Sequence, residues 1–252
     1  MAISLADITS GKVKRPPIVG LAGVPGIGKT TFGASAPKPI FIQTEDGCAE
    51  LDVARFPVCQ TYQDILECIK ILGTEDHDYK TVVLDSLDHA EPLVAKYTCD
   101  LHSKTTLEAF GFGRGPVEAL ANWRPIFEGF RKLRERKNMA VILIAHTQVK
   151  RFEDPSSDGY DRYIPKMHKL VTDLAIESCD AWGFANWDVK VIGTNTEGRK
   201  RGVSQGNRMV WWEERPSHIA KNRYNLPAST LLEWSAFADA WKQTHDNTEP
   251  TA

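Results

Sequence analysis

From residue 23 to residue 31 the chain reads Gly23-Val24-Pro25-Gly26-Ile27-Gly28-Lys29-Thr30-Thr31, and its first eight residues fit the pattern G-x-x-x-x-G-K-[ST]. The motif follows an apolar run at 17–22 and opens a predicted helix at 28–36. Glycines allow backbone N–H groups to converge on phosphate oxygens. We therefore predict that residues 23–31 bind a nucleoside triphosphate, with Lys29 on its β- and γ-phosphates and the Thr30 hydroxyl on Mg²⁺.

The fold class follows from apolar runs that alternate with helical patterns. Continuous apolar strands indicate a mostly parallel sheet with helices on both faces, an α/β fold. After the fourth strand we expect a non-periodic loop over 149–165, then antiparallel β segments and a terminal helix. We also expect Pro125 to kink its helix or to start a second one. The predicted strands are 17–22, 39–43, 81–85, 139–145, 181–192, 208–214 and 217–223, and the predicted helices are 28–36, 62–72, 87–101, 116–137, 166–179 and 228–244.

Composition limits the possible classes of protein. The 252 residues carry 31 Lys and Arg against 33 Asp and Glu, so any nucleic-acid binding must come from local patches. No apolar run approaches the ~18 residues of a membrane helix, so we expect no membrane partner. Five scattered cysteines argue against a disulfide framework and favour the reducing cytoplasm. We predict a flexible lead-in at 1–16, one domain at 17–245 and a disordered tail at 246–252.

Two carboxylates are expected beside the phosphate loop. Asp85 ends the third predicted strand and is expected to hold, through water, the Mg²⁺ that Thr30 ligates, while Asp88 is a weaker candidate for the same role. Glu45 follows the second strand directly. Because the carboxyl ends of parallel strands line the ligand crevice, we predict that Glu45 is the catalytic carboxylate that acts on water.

A polar residue ends the fourth predicted strand, at the same edge of the sheet. Such a residue can hydrogen-bond the γ-phosphate and transmit its presence to the following loop. His146 is the first candidate for this role and Gln148 is the second, since strand register is uncertain by a residue or two.

Taken together, these motifs resemble the RecA-like branch of P-loop ATPases. The resemblance is greatest to the phage nucleotide-binding proteins that include RecA-like single-strand-annealing proteins. It implies a RecA-like core, ATP as the nucleotide with Mg²⁺, and a catalytic role for Glu45, Lys29 and His146; the bacterial recombinase has glutamine where this chain has His146. The matching segments lie within 17–225 and are 23–30, 42–47, 82–86, 141–146 and 219–224.

The resemblance also implies contacts between subunits. RecA-like proteins place cationic residues of one subunit against ATP bound to its neighbour, and Lys221 and Arg223 match that position. We therefore expect a homo-oligomer with ATP at its subunit interfaces.

Single-stranded DNA is the partner that the resemblance implies, bound through disordered loops that follow the core strands. The matching segment interleaves cationic and aromatic side chains, as base stacking with phosphate contacts requires. Nearby acidic residues offset its charge, so we expect a modest electrostatic contribution. The candidates are Lys150, Arg151, Phe152, Tyr160, Arg162, Tyr163 and Lys166, together with a second basic cluster in an expected loop, Arg199, Lys200 and Arg201.

The leading hypothesis is an ATPase that acts on single-stranded DNA in phage-type recombination or annealing, in the host cytoplasm. One alternative is a helicase loader with AAA-like action, although the expected β segments after the fourth strand leave no room for an all-helical lid. Another is a nucleotide-gated switch that works with a single-strand-binding or replication protein. A small-molecule kinase would need an Arg-rich lid over a second substrate, and the long loop is instead balanced in charge.

Overall fold

A computed structural model describes residues 4–8, 10–11, 13–153, 158–194 and 200–246, with backbone alone at 6, 189–194, 200–205 and 245–246. Ten strands and six α-helices lie within these ranges. The strands are β1 (Ile18–Gly23), β2 (Pro39–Gln43), β3 (Ala54–Arg55), β4 (Thr81–Asp85), β5 (Ala140–Phe152), β6 (Tyr160–Pro165), β7 (Ala181–Thr194), β8 (Lys200–Trp211), β9 (Lys221–Asn222) and β10 (Ser229–Leu231). The helices are α1 (Lys29–Ala34), α2 (Tyr62–Thr74), α3 (Leu87–Leu101), α4 (Arg114–Lys137), α5 (Lys169–Ser178) and α6 (Trp234–Asp246), and short 3₁₀ turns lie at Leu5–Asp7 and Glu108–Phe110.

The strands form one sheet in the order β10-β8-β7-β1-β5-β4-β2-β3. The six strands from β7 to β3 are mutually parallel, whereas β8 and β10 continue the sheet in antiparallel pairing. Strand β6 pairs with β5 and β9 with β7, also antiparallel. The predicted fold class is confirmed in its mostly parallel α/β sheet, its antiparallel C-terminal strands and its terminal helix. All six parallel strands end at the same edge, where the phosphate loop follows β1.

The core has two layers, one on each face of the sheet. Successive side chains of β4 alternate between them, with Val82 and Leu84 on the face of α2 to α5 and Val83 on the face of α1 and α6. Trp182 of β7 is fully buried and fills the space that a side chain at Gly20 would take, because a Cβ there would lie 1.9 Å from the indole Cε3. This close packing fixes β7 against β1.

A buried ion pair connects the helical layer to the C-terminal part of the chain. Asp180 Oδ2 accepts hydrogen bonds from Arg134 Nη1 at 2.8 Å, from the Tyr224 hydroxyl at 2.8 Å and from the Ile18 backbone N–H at 3.1 Å. Asp180 and Arg134 are both buried. Burial and the nearby Asp180 carboxylate raise the pKa of Tyr224, so its hydroxyl stays a donor. The start of β1 is therefore anchored to α4 and to the residues after β9.

The segment predicted as a loop over 149–165 is largely a β-hairpin, which corrects that expectation. Strand β5 continues beyond the core as far as Phe152, and β6 returns beside it with Phe152 opposite Tyr160 and Thr147 opposite Pro165. Residues of high strand propensity, among them Val149, Phe152 and Tyr163, occupy both arms. The Pro, Ser and Gly content that suggested a loop is concentrated between the arms, over 155–159.

Several boundaries also differ from those expected. Helix α4 is continuous through Pro125, because Trp123, Ile126 and Phe127 bury its apolar face and compensate for one lost hydrogen bond. Strand β8 begins at Lys200 rather than near 208. The predicted strand 217–223 is reduced to β9, and β10 occupies the start of the predicted closing helix because it pairs with β8. Among the helices of the described residues, none combines the length and apolarity needed to cross a bilayer.

Candidate nucleotide site

The phosphate loop connects β1 to α1 through residues 24–28. Gly26 and Gly28 have φ angles of +72° and +107°, in the left-handed region that favours glycine. The carbonyl of Gly28 accepts the first hydrogen bond of the helix, from the Phe32 N–H at 3.0 Å. The observed strand, loop and helix are in the order that the motif requires, and the backbone turns sharply where the two glycines stand.

Lys29 lies on the inner side of this loop and is buried. Its Nζ donates to the carbonyls of Gly23 and Val24, both at 3.1 Å. Burial lowers the pKa of Lys29, although the carboxylates of Asp85, Asp88 and Glu45 act in the opposite direction. The amine is thus held at the loop by the chain's own carbonyls.

Thr30 and Asp85 are joined directly, since Thr30 Oγ1 donates to Asp85 Oδ2 at 2.8 Å. Asp85 is only 3% exposed. Burial raises the pKa of Asp85, and Glu45 adds to the effect, although the Thr30 hydrogen bond counteracts it. A hydroxyl and a carboxylate oxygen in contact are hard donors of the kind that Mg²⁺ prefers, so this pair fits the predicted metal role.

These groups line a cavity of about 360 Å³ at the carboxyl edge of the sheet. Its walls include Gly26, Gly28 and the predicted residues Lys29, Thr30, Thr31, Glu45, Asp85 and His146. Gly47, Glu50 and Leu51, from the segment after β2, complete the lining and were not predicted as site residues. Residues from four separate segments of the sequence therefore meet in one cavity.

Glu45 is held in place by the segment that follows β4. The Ser86 hydroxyl donates to Glu45 Oε1 at 2.8 Å, and His89 Nδ1 lies 3.1 Å from the same oxygen. The neighbouring Thr44 hydroxyl donates to the Ser86 carbonyl at 2.7 Å. The loops after β2 and β4 are thus connected, and the Glu45 carboxylate has a defined position in the cavity.

His146 ends the core part of β5 and is held by Asp88. Asp88 accepts from the His146 backbone N–H at 2.9 Å, and His146 Nδ1 lies 3.1 Å from Asp88 Oδ2. Burial would raise the pKa of Asp88, but the His146 hydrogen bonds outweigh it and lower that pKa to about 2. Asp88 therefore positions His146. Gln148 is exposed and pairs with Ile164 in the hairpin, so of the two candidates only His146 lines the cavity.

His89 is a site residue that the sequence analysis missed. One of its ring nitrogens lies within 4.8 Å of ligand atoms of Glu45 and His146, and these three residues form a group that can hold a divalent transition metal. The Nδ1 atom is 2.9 Å from the Ser86 hydroxyl. Its position one turn into the helix that follows the Asp85 strand was the available signal, because such a residue faces the same edge of the sheet.

The two residues expected to act across a subunit interface differ in their surroundings. Lys221 Nζ donates to the carbonyls of Ile176 and Glu177 at 2.6 and 3.0 Å and so caps the C-terminal end of α5. Burial lowers the pKa of Lys221. Arg223 is exposed. Neither residue lines the cavity of its own chain, and Arg223 has the more accessible charge.

The candidate nucleic-acid residues are divided between surface and interior. Lys150, Arg151 and Lys166 are exposed, and Phe152 is 39% exposed. Tyr160 and Tyr163 are half-buried, with their rings 5.5 Å from Phe152 and 5.0 Å from Phe184 respectively.

Arg162 was predicted to contact nucleic acid. The structure corrects this prediction, because the residue is only 8% exposed. Its Nη2 donates to Glu214 Oε1 at 2.6 Å and to the His218 carbonyl at 3.0 Å, so its charge serves the packing of the hairpin. In the second basic cluster, Lys200 and Arg201 belong to β8 rather than to a loop, and Arg199 lies outside the described residues.

The structure is similar to the crystal structure of the RadB recombinase, with a TM-score of 0.47 and 12% sequence identity over 86% of this chain and 87% of that chain. No curated protein sequence matches the chain. A family model described as an AAA domain matches residues 15–224, most of the sequence. The chain therefore belongs to this AAA-domain family of P-loop proteins.

Proposed function

We propose that this protein binds and hydrolyses ATP and couples the reaction to the binding of single-stranded DNA by the β5–β6 hairpin. One observation carries the hydrolytic part. The cavity of about 360 Å³ brings the phosphate-loop lysine, a Thr30–Asp85 oxygen pair and the Glu45 carboxylate together at one edge of the sheet. These are the cation, the metal ligands and the proton acceptor that phosphoryl transfer to water needs.

In the proposed reaction, a water oxygen attacks the γ-phosphorus while the bond from that phosphorus to the β–γ bridging oxygen breaks. Glu45 takes the proton of the water, and ADP and phosphate leave. Ser86 and His89 hold the carboxylate for this step. The Lys29 amine gives up its hydrogen bonds to the loop carbonyls and donates to phosphate oxygens instead. Thr30 and Asp85 would hold Mg²⁺, which supplies charge neutralisation when bound.

The DNA part of the proposal is supported by the continuity of β5. His146 lies in the cavity, and the same strand continues to the exposed Lys150 and Arg151 at the hairpin. The Lys166 backbone N–H donates to the His146 carbonyl at 2.8 Å, so both arms of the hairpin meet His146. A change at the γ-phosphate that moves His146 would therefore move the hairpin as well. Lys150, Arg151 and the half-exposed ring of Phe152 offer phosphate contacts and a stacking surface.

The test is steady-state ATP hydrolysis with and without a single-stranded oligonucleotide, at two salt concentrations. We expect salt-sensitive stimulation by DNA. We expect Glu45→Gln to lower kcat roughly 100-fold or more with little change in ATP affinity, and Asp46→Asn, a change at the exposed neighbour, to behave like the unmodified protein. Unchanged turnover in Glu45→Gln would remove the catalytic assignment. An ATP hydrolysis rate that is the same with and without DNA would instead favour a nucleotide-dependent switch that works with a protein partner.

We further propose that ATP is bound at an interface between copies of this chain, with Arg223 contributing in trans. Arg223→Ala subunits should regain hydrolysis when mixed with Lys29→Ala subunits, because each supplies the group that the other lacks. Absence of rescue in a mixture shown to co-assemble would contradict a role across the interface.

A further inference from the structure

Strand β8 brings an arginine from the C-terminal part of the chain onto the phosphate loop. Arg208 pairs with Trp187 of β7, and β7 lies next to β1. The guanidinium Nη1 lies 3.5 Å from the Ile27 carbonyl oxygen. A Cβ built on Gly28 would be 2.6 Å from the same nitrogen. The side chain therefore lies directly against the last glycine of the loop, within its own chain.

The position of Arg208 is set by backbone contacts on both sides. Its carbonyl accepts from the Leu232 N–H at 2.8 Å, just after β10. A leucine methyl of the same residue would lie 3.9 Å from a Cβ on Gly28. The strand that carries the guanidinium is thus held between β7 and β10 at the level of the phosphate loop.

The donors of this guanidinium are largely unused. Among the described side chains, no carboxylate lies within 4.0 Å of Arg208, and the one hydrogen bond of its guanidinium, to the Ile27 carbonyl, is long at 3.5 Å. Arg134 and Arg162, by contrast, pair with Asp180 and Glu214 at 2.8 and 2.6 Å. An arginine offers five N–H groups that match phosphate oxygens, and Arg208 holds most of them available at the loop.

The charge of the cavity explains what this arginine would do. The walls carry one cationic side chain, Lys29, against the carboxylates of Glu45, Glu50 and Asp85. A nucleoside triphosphate brings several negative charges into these surroundings. A second cation beside the loop offsets that repulsion, and a guanidinium can bind two phosphate oxygens at once.

We propose that Arg208 binds the phosphates of the nucleotide in cis, as a second cation beside Lys29. The inference rests on the proposed nucleotide binding and adds a specific contact to it. It also adds a requirement for glycine at position 28 beyond the positive φ angle, because a side chain there would occupy the space of the Arg208 guanidinium.

The test measures the affinities for ATP, ADP and inorganic tripolyphosphate by calorimetry, in the full chain. We expect Arg208→Ala to weaken ATP and tripolyphosphate binding roughly 10- to 100-fold, the loss of one charge-assisted contact. Arg208→Lys should retain part of the affinity, because lysine keeps the positive charge but cannot donate two parallel hydrogen bonds to phosphate oxygens as a guanidinium does. The control is Arg215→Ala, a change at an exposed arginine that pairs with Glu213 at 3.6 Å, and it should bind normally.

The outcomes separate this inference from the proposed function. Suppose that Lys29→Ala no longer binds ATP while Arg208→Ala and Arg208→Lys bind it with normal affinity. The proposed nucleotide binding is then supported, and the proposed Arg208 contact is wrong. Weaker ATP binding with unchanged tripolyphosphate binding would also overturn the contact, because it would place the arginine on the base or the sugar. An unmodified chain that binds neither ATP nor tripolyphosphate would remove the proposed function itself.

Discussion

The hydroxyl of Thr30 donates a hydrogen bond of 2.8 Å to Asp85 Oδ2, and so joins the first turn of α1 to β4 although β5 lies between β1 and β4. Among the described groups, the Thr30 hydroxyl is the one hydrogen-bond donor to this carboxylate, which is only 3% exposed. An ionised group in such surroundings disfavours folding. The Thr30–Asp85 pair, which is suited to bind a metal, therefore lowers the free energy of unfolding when no metal is bound.

We predict that Asp85→Asn stabilises the nucleotide-free protein at neutral pH. The pKa of Asp85 is raised above its ordinary value of 3.8 by burial. Its favourable contribution to folding is therefore present below that value and is lost as the pH rises through the raised pKa. Thermal unfolding without Mg²⁺ should show a higher Tm for Asp85→Asn at pH 7 and little difference near pH 3.

The matched control for that measurement is Asp46→Asn, a change at an exposed carboxylate nearby. It should leave Tm unchanged at both pH values. A lower Tm for Asp85→Asn at pH 7 would show that the ionised carboxylate favours the fold, contrary to this account.

Asp88 has the opposite pH dependence. Its pKa is lowered from 3.8 to about 2, although burial acts to raise it, because His146 donates to it from the backbone and the ring. The stabilisation is present above the ordinary pKa and is lost as the pH falls through the lowered one. Asp88→Asn should therefore cost about 2 kcal/mol of unfolding free energy at pH 7.

Denaturant unfolding at pH 7 and at pH 2 to 4 checks this value. The difference between the unmodified protein and Asp88→Asn should shrink as the pH falls from 3.8 towards 2. Asp78→Asn is the control, because its partner Lys38 is an exposed side chain and such surface pairs contribute little. A difference that is constant with pH would point to packing rather than to charge.

The two left-handed glycines of the phosphate loop should differ in their tolerance of a side chain. A Cβ on Gly26 meets nothing within 4 Å, whereas one on Gly28 meets the Arg208 guanidinium at 2.6 Å. Both changes to alanine carry the strain of a positive φ, of order 1 kcal/mol. Only Gly28→Ala should lower Tm further, by displacing Arg208.

A double-mutant cycle isolates that extra effect. In an Arg208→Ala background, Gly28→Ala should cost no more than Gly26→Ala does. If the excess cost of Gly28→Ala persists without the guanidinium, then the collision is with another part of the loop.

Arg162 and Lys150 are close in the hairpin but should respond differently to truncation. Arg162→Ala removes a buried guanidinium from Glu214 and from two backbone carbonyls, and we expect a loss of roughly 2 kcal/mol of unfolding free energy. Lys150→Ala is a change at an exposed side chain and should stay within about 0.5 kcal/mol. Equal stabilities in denaturant unfolding would argue against the structural role of Arg162.

The sequence predicts best what is encoded locally. The phosphate loop is a contiguous motif. Asp85 ends one short apolar strand and Glu45 follows another, so parallel pairing was enough to bring them together. The β5–β6 hairpin was missed because its arms alternate only weakly between apolar and polar residues and because the sequence between them, 153–159, is mostly polar. Arg162 was misjudged for a related reason, since its burial depends on Glu214 and His218, which are far away in sequence.

Arg208 could not be found in this way. Its contact with Ile27 spans 181 positions, and it requires the order of β8, β7 and β1 in the sheet together with an exact register between β7 and β8. That register includes an irregularity between Trp187 and Val189. No local pattern of residues encodes such a contact.

The central place of β1 in the sheet has a consequence for the synthesis of the protein. This strand is translated before its two neighbours, β5 and β7, which begin only at Ala140 and Ala181. At 5–20 residues per second, on the order of 10 s passes before both have been translated. During that interval β1 has two open edges, and an open apolar edge invites pairing with other chains. The phosphate loop is therefore translated well before the two strands that flank β1, and the sheet around β1 is complete only after β7 has been translated.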